Sequence, residues 1–469
     1  MYPATPPKLP AMPDSVPTLA SRSLSRQLLH LAWPVMIAQA AVMANGLVDT
    51  LMAGRISAED LAAVGVGASI YATVFVAAMG VLLALPPIIS HHYGARRDLE
   101  IGADVRQSAW LALALSVAAM ILLHFPETLL QLSRISPALE IKVRAYLAGV
   151  AWAIPGVLFF RVFYGLLVGI GKPRPVMLLN LFGLALKVPL NAVFMYGAFG
   201  FPAMGGAGAG WSTAVSMSLV TLLGWIWCYR AADFSRYAIF ARFEWPRASA
   251  IKELLRLGVP TGLSFLVDVT AFTFMALFIA RLGAANSAAH QVAASVAIFL
   301  FTVPLALGNA TGVLVGHSLG AGNRAQARAA GLLGLRVGVA VGVLVGVLIG
   351  LNASGLASLY TSDPEVARIA AGLLLVVAFH HPADALQAVM AQVLRGYKRA
   401  IVPMLVYAFA LWGIGLSGGY VFGLTDLVVA PLGAAGFWIS GAVGLFMAGA
   451  LLLTYFMRVS GQESSHGRG

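Results

Sequence analysis

The sequence predicts an all-α polytopic membrane protein, with twelve transmembrane helices in two pseudo-symmetric bundles of six. Three observations predict it: an apolar composition, twelve long apolar runs, and a self-match at one constant offset. Of 469 residues, 60% are hydrophobic and 10% charged, and the mean hydropathy is +0.87. One soluble core cannot hide that much apolar surface, so a bilayer must supply the missing solvent. The net charge of +12 does not point to nucleic acid, because the basic residues lie between apolar runs rather than on one exposed face. A single cysteine, Cys228, excludes an intrachain disulfide and a thiolate metal cluster.

Residues 1–21 hold six prolines and no apolar signal-peptide core, and read as a disordered cytoplasmic lead-in. A helix needs about 20 mostly apolar residues to cross the hydrocarbon. Runs of that kind follow at 28–53, 61–88, 105–125, 144–168, 175–198 and 208–229, which make the N-terminal half, 22–229. After a polar linker at 230–255, runs at 256–281, 288–315, 330–359, 367–394, 402–424 and 434–458 make the C-terminal half, 256–458, and 459–469 form a tail. Placing both termini inside puts 22 of the 30 Lys and Arg on that side; six fall outside, and Arg161 and Lys187 lie within spans. The positive-inside rule therefore makes the termini and the linker cytoplasmic, in an inner (plasma) membrane of bacterial type.

An offset of 226 residues superposes Pro34 on Pro260, Arg55 on Arg281, His91 on His317, Gly94 on Gly320, Lys172 on Lys398 and Gly210 on Gly436. Six spans is an even number, so both halves enter the membrane in the same sense, related by an axis along the membrane normal. Such halves rock against each other, with a ligand cleft between them.

Most of the 18 acidic residues fall in loops, tails or span ends, but Asp49, Asp268 and Asp384 fall inside spans one, seven and ten. A charge there costs at least ~2.5 kcal/mol on insertion scales, which marks a use. Asp49 has basic residues at similar depth, Lys187 and Arg161. Asp268 and Asp384 have no obvious basic partner, so a proton, Na⁺ or a cationic ligand is expected on them. His380 lies one helical turn before Asp384 and is expected to share its face as a proton relay. Asn180, Asn191 and Gln291 are polar within spans and candidates either to line the cleft or to join helices. No P-loop and no H-E-x-x-H string occurs, so neither ATP-driven transport nor zinc protease chemistry is indicated.

Leu47-Val48-Asp49-Thr50-Leu51-Met52-Ala53-Gly54 resembles the first-span string of the multidrug and toxic compound extrusion (MATE) family. The resemblance continues through Pro189-Leu190-Asn191, Ala288-Ala289-His290-Gln291-Val292, Val315-Gly316-His317-Ser318-Leu319-Gly320, Asp384-Ala385-Leu386-Gln387 and Leu394-Arg395-Gly396-Tyr397-Lys398, and covers 22–458. It implies a MATE-like fold and, through Asp268 and Asp384, the NorM-type branch. Members of that branch export cationic amphipathic drugs against H⁺ or Na⁺, without a cofactor and without enzymatic chemistry. The family's N-half carboxylate maps onto Asp49. Three positions depart from the pattern: Asp268 stands where Glu is usual, His380 where Tyr is common, and Lys187 where a polar residue is often seen. The expectation is therefore a monomeric drug/cation antiporter surrounded by membrane lipids, with a lipid or lipid-linked oligosaccharide flippase of the same superfamily as the alternative.

Overall fold

The computed structural model describes residues 23–127, 130 and 136–465; the expected lead-in 1–21 and Arg134 and Arg468 lie outside the described residues. All elements within them are helical. They are α1 (Leu24–Gly54), α2 (Ala58–Gly94), α3 (Asp98–His124), α4 in two pieces (Pro137–Ala151 and Ala153–Gly169), α5 (Arg174–Tyr196) and α6 (Ala207–Arg230). The second half holds α7 (Ala248–Ala280), α8 (Ala284–Gly320), α9 (Arg324–Tyr360), α10 (Pro364–Gly396), α11 (Ile401–Leu424) and α12 (Ala434–Gly461). Eleven of these are long and apolar enough to cross a membrane, and the α4 pieces form a twelfth as one bent span.

The helices depart from the expected runs where prolines or local packing intervene. α4 bends by 41° at Trp152, because Pro155 has no N–H to offer the Ala151 carbonyl. α2 is interrupted after Leu82 and resumes at Leu85, where Pro86 and Pro87 remove the donors for the carbonyls of residues 82 and 83. α11 contains a π-helical stretch, Ala408–Leu416. α7 begins at Ala248, so the last eight residues of the expected 230–255 linker are helical.

The two halves meet at the end that carries residues 24 and 461. His91 Nε2–H donates to Gly396 O and His317 Nε2–H to Gly169 O, both at 2.7 Å, so each half caps a helix end of the other. Glycines permit the contact: a Cβ on Gly94 would lie 2.1 Å from His317 O, and one on Gly320 would lie 2.0 Å from His91 O. Deeper in, α2 and α7 touch backbone to backbone at Gly80 and Gly262.

The connection between the halves is strapped to α3 at this same end. Trp110 Nε1 donates to Glu244 O (2.8 Å), Arg106 Nη1 to Ala238 O (2.6 Å), and the Arg247 N–H to Gln107 Oε1 (2.7 Å). The Glu244 carboxylate receives Arg106 (3.0 Å) and Arg242 (2.6 Å). The hydrogen bond from Arg106 holds the Glu244 carboxyl below the usual glutamate range.

Candidate functional site

Span positions seven, ten and eleven converge in the second half. Asp268 on α7, Gln387 and Arg395 on α10 and Tyr407 on α11 line a cavity of about 30 Å³ together with Ser264 and Gln392, a volume suited to a single water. Asp384 lies one turn before Gln387 on α10. Gln387 Nε2–H donates to Asp384 Oδ1 (2.9 Å), while Tyr407 Oη–H donates to Gln387 Oε1. The amide thus links Asp384 to the cavity that Asp268 faces. Asp268 has neither a hydrogen bond nor an ion pair among the described residues, and it is half-buried. The π-helical stretch of α11 sits beside it: Trp412 Nε1–H donates to Val267 O (3.2 Å). Widened helical turns of this kind recur at functional sites.

His380 does not take the place expected of it. Its ring stacks on Trp438 (6.1 Å between centroids, 24° between planes), and Trp438 Nε1–H donates to His290 Nδ1 (3.2 Å). His381 is the histidine beside the carboxylate, with Nδ1 4.0 Å from Asp384 Oδ2. Arg395, one of the 22 basic residues counted on the cytoplasmic side, belongs to the last turn of α10 rather than to a loop. It is only 6% exposed, its Nη1–H donates to Gln392 Oε1 (3.0 Å), and its guanidinium lies over Phe265 at 5.1 Å. Arg395 lines the Asp268 cavity without forming an ion pair with either carboxylate.

The first half holds a separate, fully connected cluster. Lys187 Nζ is 3.0 Å from Asp49 Oδ1 and donates to Ala209 O (3.2 Å), Ser212 Oγ (2.9 Å) and Thr213 Oγ1. Asn191 Nδ2–H donates to Asp49 Oδ1 (2.8 Å), and Asn191 Oδ1 accepts from Ser212 Oγ–H. Of the two basic residues at Asp49's depth, Lys187 is therefore its partner. Arg161 instead lies against Phe75 and Tyr164, at 5.7 and 5.6 Å. Asn180 donates to Val176 O in its own helix (2.9 Å), apart from both clusters. Gln291 is exposed and has no hydrogen bond from its side chain among the described residues.

Two chemistries find no support in this geometry. Gly316-His317-Ser318-Leu319-Gly320 spells G-x-S-x-G, but it lies within continuous α8, and Ser318 Oγ–H donates to Leu314 O (2.8 Å) rather than standing on a strand-to-helix elbow. Among the described residues no three His, Cys, Asp or Glu side chains gather as a metal centre requires.

The family model described as MatE matches residues 34–193 and 260–421. A relative from Aromatoleum aromaticum named "Probable multidrug resistance protein NorM" is 38% identical, over 95% of this chain and 96% of its own length. "Multidrug resistance protein PmpM" of Pseudomonas aeruginosa is also 38% identical, over 94% of this chain and 93% of its own. Among solved structures, one described as "Crystal structure of MATE in the bent conformation" matches with a TM-score of 0.87 at 21% identity, over 95% of this chain and 97% of that one.

Proposed function

Because the chain belongs to the multidrug and toxic compound extrusion family, we propose that it exports amphipathic organic cations against entry of a coupling cation, by alternating access between its two halves. The observation that carries this reading is the carboxylate pair of the second half. Asp268 lines a water-sized cavity with Gln387 and Tyr407, Gln387 joins Asp384 to that cavity, and among the described residues neither carboxylate has a Lys or Arg in ion-pair contact. Two such acids take up a cation to satisfy the charge, and an arriving organic cation competes for it. Exchange does work only if the two conformers bind each ligand unequally.

H⁺ is the coupling ion that this geometry favours over Na⁺. A hard metal cation asks for several free oxygen ligands. Here Gln387 Oε1 already accepts from Tyr407, and Asp384 Oδ1 already accepts from Gln387. A proton needs one lone pair, and His381 stands 4.0 Å from Asp384 as a group that can pass it on. The protein acts in this reading as a monomer in the plasma membrane, with its termini on the cytoplasmic side.

The test is purified protein in liposomes with ethidium as reporter, under a pH gradient and a Na⁺ gradient imposed separately. Uptake driven by the pH gradient supports the reading. Uptake driven wholly by Na⁺ overturns the proton assignment and leaves the carboxylate assignment standing; ethidium flux under neither gradient overturns antiport. The flippase alternative draws on Arg161 and Arg395, which lack carboxylate partners; translocation of a fluorescent phospholipid in the same liposomes, with no ethidium flux, would favour it.

A further inference from the structure

Lys187 is 2% exposed, on a helix that is predominantly apolar. Its ammonium is a compact charge with three protons, and from α5 it meets four oxygens of two other helices: Asp49 Oδ1 from α1, and Ala209 O, Ser212 Oγ and Thr213 Oγ1 from α6. One carboxylate, two hydroxyls and one carbonyl are the oxygen types that bind a small cation. Asn191 completes the arrangement by donating to Asp49 Oδ1 (2.8 Å) and accepting from Ser212. The first half therefore holds a cation shell whose occupant is part of the chain.

The 226-residue repeat supplies an internal comparison. Lys187 corresponds to Gly413, inside the π-helical stretch beside Asp268, and Arg161 corresponds to Gln387, the amide that links Asp384 to the cavity. At both positions the first half carries a fixed positive charge where the second half carries none. Counting interior groups, the first half has Asp49 against Lys187 and Arg161, a surplus of one positive charge. The second half has Asp268 and Asp384 against Arg395, a surplus of one negative charge.

We propose that the Lys187 ammonium is a tethered cation that permanently occupies an oxygen-lined cation site of the first half, so that this half exchanges no ion and coupling is confined to the second. The consequence for coupling rests on the antiport reading; occupation of the site does not, and the test reads stability rather than flux. Lys187→Ala strands the Asp49 carboxylate, a change that is strongly destabilising when a buried ion pair loses one member. It also vacates a channel that n-propylammonium fits, since this ion restores the three carbons and the ammonium that the substitution removes.

The full-length protein is purified in detergent and its Tm measured with n-propylammonium, ammonium, Na⁺ or n-propanol at constant ionic strength. Lys187→Ala should melt below the wild type and recover saturably with n-propylammonium, in part with ammonium or Na⁺, and not with n-propanol. The wild type and the double variant Asp49→Asn/Lys187→Ala should show no such cation dependence, because the shell is filled in one and uncharged in the other. A Lys187→Ala protein that melts like the wild type, or melts lower yet ignores all three cations, would falsify the proposal. Should Lys187→Ala fail to accumulate, Asp49→Asn/Lys187→Met, which removes both charges and keeps the side-chain volume, should restore yield; if it does not, the charge argument fails.

Discussion

Adding one methyl group at Gly94 should shift the balance between the two faces of the transporter. In the structure, the two halves are in contact at the end that carries residues 24 and 461, and a Cβ on Gly94 would lie 2.1 Å from the His317 carbonyl oxygen, whereas ordinary contact begins near 3.4 Å. The difference is about 1.3 Å, and the obstacle is backbone, which no side-chain rotation removes. Overpacking of this kind costs roughly 1–3 kcal/mol. If the cost falls only on the closed arrangement, the population ratio moves roughly 5- to 150-fold toward opening at this end. The assay is disulfide cross-linking of Ala95→Cys with Ala321→Cys, positions at the ends of α2 and α8; the native Cys228 is 1% exposed and gives little background. Gly94→Ala should slow cross-linking several-fold, and Gly320→Ala should do the same, because its Cβ would lie 2.0 Å from His91 O. Unchanged cross-linking in both variants would refute the view that these glycines set the closure.

Asp268→Asn and Asp384→Asn should each abolish gradient-driven ethidium transport at normal membrane levels, and the double variant should be no worse, since both act on one loading event. Full transport by either single variant would separate that residue from coupling. Tyr407→Phe, which removes the hydrogen bond to Gln387, should reduce transport by roughly fivefold without abolishing it, in line with about 1 kcal/mol for a lost hydrogen bond; wild-type kinetics would show that the Tyr407–Gln387 link is incidental. The connection between the halves should show a defined pH dependence. Arg106 lowers the Glu244 carboxyl in the folded state, so its contribution is complete above the unfolded glutamate value of ~4.3 and is lost as pH falls through the lower folded value. Proteolysis at Arg242 and Arg247 should therefore stay slow from pH 8 down to about 5 in the wild type, while Glu244→Gln should be cut several-fold faster throughout that range; equal rates there would show that the strap does not depend on this charge.

The twelve spans were legible because long apolar segments in lipid have one backbone solution, the helix. Asp49, Asp268 and Asp384 were legible because charge is costly there. The interruptions followed from Pro86, Pro87 and Pro155, which the sequence displays, but a proline alone does not say whether a helix bends or breaks, since neighbouring helices can satisfy the freed carbonyl. The π-helical turn at Ala408–Leu416 carries no such marker. Helical spacing offered both His380 (i−4) and His381 (i−3) as neighbours of Asp384; packing against Trp438 on α12 decided between them, and that contact is long-range. Arg395 was counted with the cytoplasmic basic residues because it lies just past the expected end of its span, 367–394. Side chains on a helix lean toward its N-terminus, and α10 ends at the face that carries residues 24 and 461. The Arg395 side chain consequently points back into the bundle and reaches the Asp268 cavity.

The two halves therefore share their mechanics and differ in their charges. The repeat keeps His91 with His317 and Gly94 with Gly320, and these pairs build reciprocal contacts at the closed end, each helix end capped by the opposite half. It keeps none of the interior carboxylates: Asp49 corresponds to Met275, Asp268 to Val42 and Asp384 to Leu158. Rocking requires both halves to make and break equivalent contacts, so symmetry is useful where they meet. Coupling requires only that one cation site change affinity between the two conformers, and a second exchanging site in the other half would alter the number of ions moved per cycle. In the antiport reading proposed above, a lysine inside the first half and a carboxylate pair inside the second divide these roles on a duplicated frame.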